Sequence, residues 1–260
     1  MKKYLFNYFL LVLFMIGSEI SNAQKKNIVI SDALSENSEM MKVKMGTHRM
    51  KKMWNFRFGD YAIEKNKKEY LDNKIESNIL KTKSEDITTF KFNFVLSNKT
   101  SDSAIVNALF SNNIKELHSF DLTPHIHFGS DEILKDSLNF TADISLTSDM
   151  DKKWKLFLIK TSGSKIDYKE KSILINGDRI ISIIHIRSYP KGKDKKTLPA
   201  LGYEFIENEQ AICAMQYYGG GLWGSFQPLI WIDSSLNQQM KLILAATMTA
   251  ILEIKAGKLD

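Results

Sequence analysis

The chain has 260 residues, 43% of them hydrophobic and 25% charged, which is enough apolar material for a packed core. Its single cysteine excludes an intramolecular disulfide, so the fold must be held by that core. The net charge of +6 is compatible with an anionic surface, but without a recognisable binding motif it does not predict a nucleic-acid partner.

The first 23 residues have the pattern of a cleavable signal peptide. Lys2 and Lys3 precede an uncharged, largely apolar run from Tyr4 to Ile16, and small residues follow at Ser21 and Ala23. The apolar run is shorter than the roughly 20 residues that cross a bilayer. We therefore expect an exported protein, periplasmic or extracellular after cleavage, and the composition is typical of a bacterial source.

The rest of the chain is dominated by the alternation of apolar and polar residues that predicts β-strands. Residues 24–40 are polar and are expected to form a loose lead-in, and residues 41–260 are expected to form one domain. Turn signals at Gly59-Asp60, Asn176-Gly177-Asp178 and Glu207-Asn208-Glu209 separate neighbouring strands. In total we predict about ten to twelve strands, near residues 56–63, 90–94, 105–110, 140–146, 154–158, 173–175, 180–186, 203–205, 211–217 and 229–232.

The last predicted element is a helix over residues 236–254. Asp233, Ser234 and Ser235 are candidate N-caps, and Gly257 is a natural stop. Residues 242–252 contain no charge, so every side of this helix is apolar, and such a helix must be surrounded by protein. Because the rest of the chain supplies strands, we predict a mainly β fold, a closed antiparallel barrel around a buried hydrophobic C-terminal helix.

Residues 202–254 carry a family resemblance. The segments Gly202-Tyr203-Glu204-Phe205 and Leu229-Ile230-Trp231-Ile232-Asp233, followed by the helix, resemble the C-terminal end of the tubby-like superfamily. That superfamily includes the LURP-one-related proteins and the phospholipid scramblases. The resemblance implies a closed β-barrel around a hydrophobic C-terminal helix, and it implies lipid contact. The chain lacks the cysteine cluster and acidic calcium segment of scramblases, so no activity is implied.

A basic segment between residues 40 and 58 is the main candidate binding surface. It has no acidic residue, and bulky apolar side chains are interleaved with its cations. This mixture favours an anionic lipid surface, although two ordinary strands with solvated basic faces would show the same pattern. The candidate lipid or anion contacts are Lys42, Lys44, Arg49, Lys51, Lys52, Trp54 and Arg57.

Two histidines form the only spacing in the sequence that is typical of a metal site. His125 and His127 would face the same side of a strand, and Asp131 or Glu132 could supply a third ligand. A polar loop is the competing interpretation. Cys213 alternates with apolar neighbours, so we interpret it as a core thiol.

These patterns favour a non-enzymatic module over an enzyme, because no catalytic motif and no cofactor-binding motif is recognisable. We expect an exported binding or structural barrel of the bacterial envelope that contacts anionic lipid. The alternative is an exported metal-dependent hydrolase that uses His125 and His127. Zinc that is bound in stoichiometric amount and lost in His125→Ala would favour the hydrolase.

Overall fold

The computed structural model describes residues 27–46, 53–77, 83–99, 102–118, 120–123, 126–128, 132–163, 166–188, 199–219 and 227–256. The predicted signal peptide lies outside these residues. The helices are α1 (Asp32–Asn37) and α2 (Gln238–Ala256). The strands are β1 (Ser38–Lys42), β2 (Arg57–Phe58), β3 (Tyr61–Ser77), β4 (Lys83–Ser97), β5 (Ser103–Leu117), β6 (Phe120–Thr123), β7 (Ile126–Phe128), β8 (Glu132–Leu146), β9 (Asp149–Gly163), β10 (Ile166–Asn176), β11 (Arg179–Arg187), β12 (Leu201–Glu207), β13 (Gln210–Tyr218) and β14 (Leu229–Asp233).

Twelve of these strands form one antiparallel sheet that curls into a nearly closed barrel. Its strand order is β1-β14-β13-β12-β11-β10-β9-β8-β5-β4-β3-β2, and β6 pairs separately with β7. The two edges meet just after β1, where the Lys44 N–H donates to the Arg57 carbonyl at 2.7 Å and the Arg57 N–H donates back at 3.0 Å. We call this contact the seam. The fold class that the sequence predicts is confirmed.

The C-terminal helix α2 lies against strands from opposite walls of the barrel, β4, β5 and β8 on one side and β13 and β14 on the other. Every residue from Leu242 to Ile254 is buried. The buried Thr247 and Thr249 hydroxyls donate to the carbonyls of Ile243 and Ala245 at 2.8 Å, so neither is left without a partner.

The helix begins two residues later than the sequence predicts, at Gln238 rather than residue 236. Asp233 accepts the Ser235 N–H at 2.8 Å and forms a tight turn before the helix. The N-cap is Asn237, whose side-chain oxygen accepts the Met240 N–H at 2.8 Å. Several consecutive capping residues made the start ambiguous in the sequence.

The predicted loose lead-in needs a correction, because its described part, from residue 27, is packed on the outside of the barrel. Leu34 in α1 is fully buried, in one cluster with Leu229 and Trp231. The Ile28 N–H donates to the Gln216 side chain at 3.0 Å. A few apolar residues and buried acceptors on the outer face of β12–β14 therefore order a segment whose composition is mostly polar.

The two ends of the barrel are built differently. At one end, which we call the turn end, two-residue turns at residues 59–60, 147–148, 177–178 and 208–209 join the strands. At the other end, which we call the extended end, β3, β4, β5, β8 and β9 continue as long paired strands. The N-terminus of α2 lies at the turn end and its C-terminus lies toward the extended end.

Candidate functional site

The seam places three of the predicted basic residues on the outer surface. Lys44 and Arg57 are directly opposite each other and both are exposed, and Lys42 precedes Lys44 by two residues in the extended segment that continues β1. The intervening Val43 and the neighbouring Phe56 are buried. The three cations therefore share the solvent face, and we call them the seam patch. No ion pair among the described residues involves any of them.

Among the described residues, the apolar side chains of the basic segment pack against the barrel and are not fully exposed for lipid contact. Met53 is buried, and Met45 and Trp54 are partly buried against the barrel core. The side chain of Trp54, a predicted lipid contact, is therefore partly buried against the barrel core. The predicted contacts Arg49, Lys51 and Lys52 lie outside the described residues.

A buried ion pair holds the inner side of the seam. Lys68 of β3 donates to the Glu253 carboxylate of α2 at 3.0 Å, with side chains only 6% and 1% exposed. The backbone N–H of Trp54 donates to the other carboxylate oxygen of Glu253 at 3.2 Å. The Lys68 ammonium lies 4.3 Å from the Phe90 ring centroid, where a cation is attracted to the ring face. Glu253 therefore connects the helix, β3 and the segment that closes the seam.

Sequence reasoning missed this pair, although one signal was present. Glu253 is an acid that interrupts an otherwise apolar stretch of helix, and a buried acid requires a cationic partner. Lys68 lies in a segment rich in charges, so nothing in the local pattern distinguishes it as the inward-facing lysine.

An aromatic cluster lies on the inner wall near the C-terminus of α2. The Lys255 ammonium is 4.9 Å from the Tyr217 ring centroid and 5.3 Å from that of Tyr203, and the His185 ring is 4.3 Å from the Tyr203 ring. The Nε2 of His185 lies 3.6 Å from the Glu170 carboxylate. The cluster holds a lysine against two tyrosine faces and a histidine beside a carboxylate.

Burial sets the protonation of this cluster. It lowers the pKa of His185 against the opposing effect of Glu170, and Lys255 lowers it further. Burial raises the pKa of Tyr217 to about 12, so this phenol remains protonated at neutral pH. A neutral imidazole and a neutral phenol beside Lys255 can donate and accept hydrogen bonds, and neither group is set up as a strong nucleophile.

Only one of the two predicted metal ligands belongs to the described residues. His125 lies outside the described residues, and His127 occupies the β7 position opposite Asp121 of β6. Among the described residues there is no group of three or more potential metal ligands. The hydrolase alternative stays a prediction.

Cys213 lies inside the barrel wall, opposite Phe205 of β12 and Ile232 of β14. It is completely buried, and burial raises the pKa of its thiol well above the usual value. A protonated, inaccessible thiol is a poor nucleophile, so the interpretation of Cys213 as a core residue agrees with its surroundings.

The turn end carries a pocket of about 190 Å³ beside the N-terminus of α2. Trp154 and Arg179 lie on its wall, with the guanidinium carbon 5.3 Å from the indole ring. Arg179 also forms a two-point ion pair with Glu207. Both cations on its wall, Arg179 and Lys152, are therefore already paired with carboxylates.

Comparison of the chain with protein-family models, with curated proteins and with solved structures finds no match. Within the described residues, neither helix has the length and apolar character that a membrane crossing requires. The architecture is compatible with a barrel superfamily, and the fold and the surfaces of the molecule remain the basis for any functional conclusion.

Proposed function

We propose that this protein is an exported, non-enzymatic β-barrel module of a bacterial envelope that contacts anionic lipid through the seam patch. The observation that carries the proposal is the alignment of Lys42, Lys44 and Arg57 on one exposed face, without an ion-pair partner among the described residues. Several exposed lysines elsewhere, among them Lys67, Lys74 and Lys152, lie beside a carboxylate, whereas no carboxylate of the described residues pairs with the seam patch.

The expected strength of this contact is modest. Each lysine or arginine near an anionic membrane contributes about 1 kcal/mol, so three residues contribute about 3 kcal/mol. Since 1.4 kcal/mol corresponds to a factor of ten, the patch contributes roughly a hundredfold in affinity. Salt screens exposed charges with a Debye length of about 10 Å at 0.1 M, so binding should weaken steeply as salt is added.

We further propose that the chain is a distant member of the tubby-like superfamily. Support comes from the twelve-stranded antiparallel barrel with a C-terminal helix against its walls, together with the resemblance over residues 202–254. Lipid contact through an outer basic surface is consistent with that membership.

Flotation with lipid vesicles tests the lipid proposal. At low salt, the purified protein should float with phosphatidylglycerol-containing vesicles and remain in the dense fraction with pure phosphatidylcholine. The triple variant Lys42→Glu, Lys44→Glu, Arg57→Glu should lose at least about a hundredfold in affinity for the anionic vesicles.

The matched control reverses three exposed lysines on the wall formed by β9 and β10. Lys153→Glu, Lys155→Glu and Lys171→Glu change the net charge by the same amount as the seam variant. This control should retain most of the binding. Equal losses of vesicle affinity in the two triple variants would mean that binding depends only on the net charge of the protein. A wild-type protein that does not bind anionic vesicles at low salt would refute lipid contact.

A further inference from the structure

At the extended end, the outer edge of β3 has no paired strand among the described residues. Backbone pairing of residues 67–77 is confined to β4 among the described residues, because β2 pairs only with residues 61 and 62. Every side chain from Glu69 to Ser77 is exposed, including Leu71 at 50% and Ile75 at 74%. An edge with free N–H and C=O groups can accept another strand.

A β-bulge lies in the middle of this edge. The pairing with β4 steps from Tyr70 opposite Phe90 to Asp72 opposite Thr89, so Leu71 is an extra residue. Because side chains alternate along a strand, the bulge shifts that alternation by one position. Odd-numbered residues before the bulge and even-numbered residues after it therefore share one face.

Between residues 67 and 76, five charged residues occupy that shared face: Lys67 and Glu69 before the bulge, and Asp72, Lys74 and Glu76 after it. Lys67 and Glu69 lie opposite the exposed Asn93 and Lys91 of β4, and Lys74 and Glu76 lie opposite Ile87 and Glu85 farther along the same face. The Lys67 ammonium is 3.7 Å from the Glu69 carboxylate, and Lys74 contacts Glu76. The order of charges is thus plus, minus, bulge, minus, plus, minus.

We propose that the edge of β3 pairs antiparallel with the same edge of a second copy of this chain, forming a two-fold symmetric dimer. In the register with Lys67 opposite Glu76 of the second copy, Glu69 lies opposite Lys74. Two-fold symmetry repeats both pairs, so four opposite-charge pairs form on one face. In this register Asp72 lies opposite Leu71 of the second copy and therefore meets no like charge.

Neighbouring registers are unfavourable, which makes the edge selective for this pairing. A shift of two residues in one direction places Lys67 opposite Lys74 and Glu69 opposite Asp72. A shift of two residues in the other direction places Glu69 opposite Glu76. Like charges directly opposite each other destabilise a strand pair, so only the intermediate register avoids repulsion at these positions. Registers that differ by one residue would place the paired charges on opposite faces.

Sedimentation of the purified protein over a range of concentrations tests this inference. The wild type should dimerise. Lys74→Glu faces Glu69 with a like charge at two symmetric positions, so dimerisation should weaken by about tenfold or more. The swap Glu69→Lys with Lys74→Glu, made together with Lys91→Glu so that residue 69 keeps an opposite charge across from it on β4, exchanges the charges of that pair and should restore the dimer. Lys153→Glu has the charge change of Lys74→Glu on another wall and should dimerise as the wild type does.

A wild-type protein that stays monomeric across the range would overturn the inference and would leave the edge to a strand of another protein. Dimerisation of Lys74→Glu at wild-type strength, or failure of the swap to restore the dimer, would also overturn it. Circular dichroism of each variant checks that the barrel is folded, and the exposure of the substituted positions makes folding of the variants the expected result.

Discussion

The turn end and the extended end of the barrel share the same twelve strands and differ in what those strands carry. The turn end has two-residue turns, and its ion pairs lie at the surface. Toward the extended end, the pair Lys68–Glu253 lies within the barrel, and the cluster around the partly exposed His185 lies on its inner wall. A charge inside the barrel needs a partner, whereas a charge beside the tight turns is solvated, so the two ends are expected to respond differently when a charge is removed.

The largest expected effect comes from a charge in the middle of α2, the element that both ends share. Ala246 is fully buried, so Ala246→Asp places an unpaired carboxylate in the core and should prevent folding. Gln238→Asp adds the same charge at the exposed first turn, where a helix tolerates an acid, and should fold. Soluble expression and far-UV circular dichroism compare them, and a folded Ala246→Asp protein would contradict a surrounded helix.

The ion pairs of the two ends should differ in energetic weight. Glu253→Gln leaves the buried Lys68 without its carboxylate and should lower the free energy of unfolding by about 3–5 kcal/mol. Asp149→Asn breaks the exposed pair with Lys152 at the turn end and should cost about 0–1 kcal/mol. Urea denaturation measures both changes.

The double variant Lys68→Met with Glu253→Gln also removes the lysine that would be left unpaired, so it should recover part of the lost free energy of unfolding. If Glu253→Gln and Asp149→Asn lower the free energy of unfolding by the same small amount, the ion pairs of the two ends do not differ in energetic weight.

One turn should be open to improvement. Asn208 and Glu209 both have positive φ, at 48° and 65°, a conformation that glycine adopts freely and glutamate does not. Glu209→Gly should therefore raise the free energy of unfolding by up to about 1 kcal/mol. Glu209→Ala removes the charge and keeps the Cβ atom, so it should give no such gain. Equal behaviour of the two variants would show that this turn stores no strain.

The smallest effect concerns pH and the extended end. Burial holds the pKa of His185 below its value of about 6.5 in an unfolded chain, so below that pH the unfolded state binds the proton more readily. Stability from this group is present above pH 6.5 and is lost as the pH falls toward the folded pKa. His185→Gln should reduce the loss between about pH 7.5 and 5.5. Urea midpoints at the two values check this, and an unchanged loss in His185→Gln would contradict it.

The parts of the fold that follow periodic rules were accessible from the sequence. Alternation at Phe90, Phe92 and Phe94 predicted an inward strand face, and the uncharged run of α2 required a surrounding cage. The packing of Leu34 was not accessible, because one leucine in a polar segment has no period.

Pairs between distant residues were inaccessible for a different reason. The contact of Lys68 with Glu253 joins the first third of the chain to its end, and only the closed barrel brings them together. The seam patch was partly accessible, since Lys42, Lys44 and Arg57 stood out by charge, while their shared exposed face depends on strand pairing.

Amide hydrogen exchange of α2 tests the central claim most directly. If the helix is enclosed by the walls of the barrel, the amides of residues 242–254 should exchange only through global unfolding and should be among the slowest in the protein. Exchange of this segment at a free energy well below that of global unfolding, while the strand amides remain protected, would contradict an enclosed helix.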